Sequence, residues 1–134
     1  MSLLSIPSPA QTQPYAVGQL WQYHARPGES ASRVLINLIE TAPLLGHIFH
    51  ISVLDVAVRN PRSASGLTDE LPHFPVSEET LQKSLTQLDG TREPLADHRE
   101  GYQVWREAFD KQEAGVFTLS VAEIVDLIER AANQ

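Results

Sequence analysis

The chain contains no cysteine, which excludes a disulfide framework, a thiolate metal site and a cysteine nucleophile together, and matches a reducing compartment. Long apolar runs are missing too. The longest, such as Val34 to Ile39, fall far short of the ~20 residues a membrane-spanning helix needs. The opening Met1-Ser2-Leu3-Leu4-Ser5-Ile6-Pro7 lacks the positive charge and sustained apolar stretch of a signal peptide. Basic residues are scarce, 10 Lys and Arg against 17 Asp and Glu, for a net charge of −7. Nucleic acid and anionic lipid both demand clustered positive charge, so neither is an expected partner. A Gly-x-Ser-x-Gly elbow, a Gly-rich phosphate loop and a dinucleotide fingerprint are also absent. The expectation is a soluble cytoplasmic protein with no cofactor and no catalysis of its own.

What is present suits one globular domain: 134 residues, 42% hydrophobic and 20% charged, enough to bury a core. Residues 1–14, with Pro7, Pro9 and Pro14 among Ser, Gln and Thr, predict a loose tail, and 15–134 the domain. From Gly18 to Val58, three β-rich blocks follow: Gln19 to Ala25, Arg33 to Ile39 and His47 to Val58. Between the first two, Arg26-Pro27-Gly28-Glu29 offers Pro and Gly where a type II turn needs them. The third block is long enough to predict a bend or bulge.

Residues 59–75, with Asn60-Pro61, Gly66, Pro72 and Pro75, read as a long connection without a clear period. Helical signals take over afterwards. Ser77 is an N-cap with a Val76–Leu81 staple, and Leu81, Leu85 and Leu88 recur at helical spacing until Asp89-Gly90. Asp97 and Glu100 predict a second cap, before a stripe of Tyr102, Trp105 and Phe109 that Gly115 would end. Val116 to Leu119 suits a short strand. Ser120 and Glu123 form a capping box ahead of Ile124, Val125, Leu127, Ile128 and Ala131. The fold class is therefore α+β: an N-terminal antiparallel sheet, curled as a small SH3-like half-barrel, then three C-terminal helices covering one face or end of it.

Gly18-Gln19-Leu20-Trp21, Arg26-Pro27-Gly28-Glu29, His50-Ile51-Ser52-Val53, Glu70-Leu71-Pro72-His73, Gly101-Tyr102-Gln103-Val104-Trp105-Arg106-Glu107 and Gly115-Val116-Phe117-Thr118 carry a resemblance. From about Tyr15 onward the chain resembles an uncharacterised family of small single-domain bacterial proteins. The resemblance implies a bacterial domain and brings no activity and no catalytic residue with it.

Three patterns carry chemistry. His47 and His50 would share a helical face, but on a strand they point to opposite faces and cannot chelate a metal together. The pattern then reads as one lone sheet histidine satisfied by hydrogen bonds. Arg59 and Arg62 with Glu70 and His73 would form a small pocket for an anionic ligand if the 59–73 loop folds back, since Arg clamps anions and His moves protons near neutral pH. The plainer reading of that loop is a proline-stiffened connector with solvated charges. Tyr102, Trp105 and Phe109 read as core packed against the sheet, because stacking on bases would need a basic surround.

Charge is unevenly spread. Up to Gly66 there are four basic and three acidic residues, and from Leu67 onward six and fourteen. Either the acids are the solvated side of helices, or they dock a basic partner. The leading expectation is a bacterial protein-binding or regulatory domain that recognises another, basic protein through an acidic helical surface. Glu78, Glu79, Glu107, Asp110 and Glu113 are the candidate contacts. The alternative is a small enzyme or anionic-ligand-binding domain built on Arg59, Arg62, Glu70 and His73.

Overall fold

The computed structural model describes residues 15–134, so the tail expected over 1–14 lies outside the described residues. The elements in chain order are β1 (Gln19–Tyr23), β2 (Arg33–Ala42), β3 (Gly46–Arg59), β4 (Leu67–Ser77), α1 (Glu78–Ser84), β5 (Leu85–Thr91), α2 (His98–Asp110) and α3 (Val121–Ala132). The strands form one antiparallel sheet in the order β4-β3-β2-β1-β5. This is the expected α+β class. Among the described residues no helix is long and apolar enough to cross a membrane.

The first reversal is the one the sequence predicts. Glu29 N–H donates to the Arg26 carbonyl at 3.0 Å, and Gly28 takes φ +85°, where a side chain would be strained. Glu29 is buried and doubly bonded by Arg26, whose guanidinium also reaches Asp126 and Glu129 of α3. The turn thereby fastens the last helix to the sheet.

Residues 67–75 are not a connector: they form most of β4, paired along β3. Pro72 and Pro75 are tolerated there because β4 is an edge strand, where a missing N–H leaves no ladder partner unsatisfied. The helix beginning at Ser77 stops at Ser84, and Leu85 to Thr91 pair with β1 as an exposed edge strand. Leu81 is buried while Leu88 is 45% exposed, so the apolar spacing of Leu81, Leu85 and Leu88 never formed one buried stripe.

Helices cover both faces of the sheet instead of one. On one face Phe49, Ile51 and Val53 pack with Leu81 of α1 and with Val121, Ile124 and Val125 of α3. On the other, Ile48 and Ala42 pack with Trp105 of α2. The central stretch of β3 from Ile48 to Leu54 is consequently buried on both sides. Short-range signals around the helices are mixed. The Ser120–Glu123 capping box is formed, whereas Asp97 precedes α2 without a side-chain capping bond. The segment expected to be a short strand makes one parallel bridge, Phe117 to Val76, on the outer edge of β4.

Gly115 does not end α2. Gln112 does, at φ +62°, with Gln112 N–H on the Phe109 carbonyl and Glu113 N–H on the Ala108 carbonyl, the two bonds of a Schellman motif. A non-glycine residue in that conformation is strained. Gln112→Gly is expected to raise stability by about 0.5 to 1 kcal/mol in chemical denaturation, and an unchanged or lowered midpoint would contradict the cap assignment.

Candidate functional site

Two bulges assemble a polar chain inside the sheet. β2 and β3 pair Ile36 with Ile51 but Leu38 with His50, so one extra residue, Asn37, is inserted into β2. Such an insertion exchanges the faces of every residue beyond it. It turns Glu40 away from the Phe49 side and onto the His50 side. β3 and β4 pair Ile51 with Phe74 but Val53 with Leu71, so Pro72 and His73 together face Ser52. Leu71 and Phe74 both stay in the core, and His73 is left on the face of His50.

The result is a hydrogen-bonded line. His50, fully buried, places Nε2 2.8 Å from Glu40 Oε1 and Nδ1 2.9 Å from His73 Nε2. The two imidazole planes are parallel to within 15°, with centroids 5.1 Å apart. Glu40 also accepts from Tyr102 Oη at 3.1 Å and is approached by Arg106 Nη1 at 3.5 Å. These donors fix the protons by elimination. A carboxylate accepts only, so His50 carries its hydrogen on Nε2 and accepts at Nδ1 from the Nε2–H of His73. His73 Nδ1 is left with a lone pair, the ring's hydrogen bond among the described residues being the one through Nε2.

The surroundings keep these rings neutral. Burial, reinforced by His50 and His98 nearby, pulls His73 down to about 4, and burial outweighs the Glu40 carboxylate to lower His50. His98, the first residue of α2, is buried with its ring 5.8 Å from His73, is likewise lowered by burial, and has an Nδ1 without a partner. Trp105 lies edge-on to His50 at 4.9 Å and Tyr102 at 4.8 Å. Helix α2 comes this close because residue 101 is glycine. A Cβ there would sit 2.9 Å from His73 Cβ and 3.4 Å from His73 Nδ1.

His73 lines a groove of about 610 Å³ between β4, α2 and the start and middle of the C-terminal segment. Phe117, Ile128 and Val104, the last 68% exposed, supply apolar wall, and Asp97 and Glu100 stand on the α2 side. Asp97 makes no capping bond, and among the described residues neither carboxylate is ion-paired.

The sequence-derived candidates are distributed as follows. His47 is exposed and His50 buried, so they face opposite ways, and among the described residues no group of three His, Cys, Asp or Glu is placed to hold a metal. Arg59 ends β3 opposite Leu67, six residues along β4 from His73, which at strand rise is about 20 Å. Its backbone N–H donates to Glu129, 2.8 Å away. Arg62 is exposed in the β3–β4 turn and Glu70 pairs with Leu54, so the four residues Arg59, Arg62, Glu70 and His73 do not converge on one pocket. Glu78 and Glu79 begin α1, Glu79 pairing with Lys83 at 3.3 Å. Glu107 and Asp110 lie on exposed α2, Asp110 held by Arg106 at 3.2 Å, and Glu113 follows the helix. Because α1 and α2 pack on opposite sides of the sheet, the expected shared surface reduces to a subset, Glu107 and Asp110, three apart and both exposed on α2.

Sequence reading missed Glu40 and His98 as site residues, and Asp97 and Glu100 as groove residues. The only available signal was the polar Glu40 ending a β-rich block, and nothing in a single sequence marks the bulge that aims it at His50. No family model matches the chain, nor does any curated protein or solved structure.

Proposed function

We propose that this domain is a recognition module that takes a basic segment of another protein into the groove between β4 and α2. One observation carries the reading: an apolar concavity bearing exposed Val104 is flanked by the unpaired carboxylates of Asp97 and Glu100. An apolar wall with an acidic side suits a segment that combines an aliphatic or aromatic anchor with Lys or Arg. The carboxylates of Asp97 and Glu100 beside the groove speed the encounter with such a partner. Pro72 and Pro75 remove two N–H groups from the β4 edge, so the occupant docks by side chains and not as an added strand.

The test is selection from a random displayed-peptide library on the immobilised domain. Basic peptides with an apolar anchor are expected, with association slowed by salt. The variant carrying Asp97→Lys and Glu100→Lys should lose them while it stays folded, with a stability loss of no more than about 2 kcal/mol from the reversed charges at the helix N-terminus. Recovery of neutral or acidic peptides, or retention of binding by the double variant, would overturn the reading.

A further inference from the structure

The polar line behind the groove has no use in holding a merely apolar ligand. His50 is fully buried with both ring nitrogens paired, while half-buried His73 ends the line with an Nδ1 that, among the described residues, accepts no hydrogen bond. That end, His73 Nδ1, is a lone-pair acceptor lying over Gly101 on the groove wall. An acceptor there calls for a donor from the ligand.

The identity of the donor follows from what surrounds it. Asp97 and Glu100 sit within one helical turn of Gly101, and two carboxylates outweigh the roughly half positive charge of the α2 N-terminus. Phe117 adds an aromatic ring to the lining, and aromatic rings attract cations. A hydroxyl or amide donor would leave both carboxylates unanswered. A guanidinium presents a planar fork that asks for two parallel acceptors, whereas a single imidazole lone pair suits one N–H of a compact ammonium. The apolar wall at Val104 and Ile128 matches a butylene stem.

We infer that the groove contains a subsite for the primary ammonium group of a lysine side chain, with His73 Nδ1 as hydrogen-bond acceptor and Asp97 and Glu100 as counter-charges. This rests on the groove being a recognition site and names the chemistry it recognises. Glu40 does not reach the groove. It acts through His50: its negative charge polarises both imidazoles and makes His73 Nδ1 a stronger acceptor, so Glu40 is a positioning and polarising residue.

The experiment uses small probes in place of an unidentified partner. Uniformly ¹⁵N-labelled full-length protein at pH 7.5 is titrated with n-hexylammonium, 1-hexanol, hexanoate and n-hexylguanidinium, following the Gly101 amide and the His73 ring nitrogens by NMR. Hexylammonium is expected to bind at least tenfold more tightly than hexanol, to move His73 Nδ1, and to surpass the guanidinium; hexanoate is expected not to bind. Glu40→Gln should weaken hexylammonium several-fold while leaving hexanol unchanged, a difference that loss of groove shape would not produce. Asp97→Asn with Glu100→Gln, both on the surface, gives the same contrast if Glu40→Gln fails to fold. Equal binding of hexylammonium and hexanol, an unmoved Nδ1 signal, or preference for the guanidinium overturns the inference. If displayed basic peptides still bind in an Asp97- and Glu100-dependent way while hexylammonium leaves His73 unmoved, the subsite falls and the recognition reading stands. If hexylammonium binds as expected but no basic peptide is selected, the reverse holds.

Discussion

Replacing Trp105 with alanine is expected to cost about 3 to 5 kcal/mol, a large share of the stability of a domain this size. Trp105 is the largest member of the smaller core, where it packs with Ile48 and Ala42 and stacks on Phe109 at 4.6 Å between centroids. Its indole Nε1–H donates to the Gly115 carbonyl at 2.8 Å. Truncation removes the apolar contacts and leaves that carbonyl without its partner, so the loss exceeds simple transfer of an indole to water. The site is affected as well, because Trp105 walls off His50 and holds α2 against β4. Urea denaturation monitored by circular dichroism measures the loss. A variant within 1 kcal/mol of the parent would mean that α2 is not docked as described.

The second large effect is acid lability above the usual carboxylate range. In the folded state His73 titrates near 4, and His50 and His98 are also lowered by burial. In the unfolded chain all three titrate near 6.5. Unfolding therefore takes up protons as pH falls through this interval, so stability present above about pH 6.5 is lost progressively down to about pH 4. His73 alone should contribute about 2 kcal/mol of that loss after allowance for its partial exposure. The lowered carboxylates, Glu29 first held by Arg26 and Glu129 first by the Arg59 N–H, lose their contributions at lower pH still. Denaturation free energies at pH 7, 5.5 and 4.5 check this. A stability that stays flat to pH 4.5 would show that the three rings are not held neutral.

The sequence makes parts of this architecture legible and hides others for definite reasons. Gly28, the Ser77 cap, the Ser120–Glu123 box and the burial of Trp105 are local or periodic signals, and each acts within a few residues of where it is read. β4 was hidden because its two core residues, Leu71 and Phe74, are three apart across a bulge, and prolines at 72 and 75 look like breakers until the strand is known to be an edge. The break after Ser84 was hidden because Leu85 and Leu88 continue a helical spacing that tertiary pairing with β1 overrides. For the site, His73 was legible as a titratable residue and one of His47 and His50 as a sheet histidine satisfied by hydrogen bonds, a role that falls to His50. Their union was not. It depends on one inserted residue in β2 and one in β4, and a register shift leaves no mark in composition or spacing.

The most direct measurement is the ring-nitrogen spectrum of His73 at pH 7, recorded by long-range ¹H–¹⁵N correlation. The Glu40–His50–His73 line predicts a neutral imidazole with hydrogen on Nε2 and an unprotonated Nδ1, unchanged down to about pH 5.5 and protonating only as the pH approaches about 4. A protonated ring at pH 7, or a hydrogen on Nδ1, would contradict it.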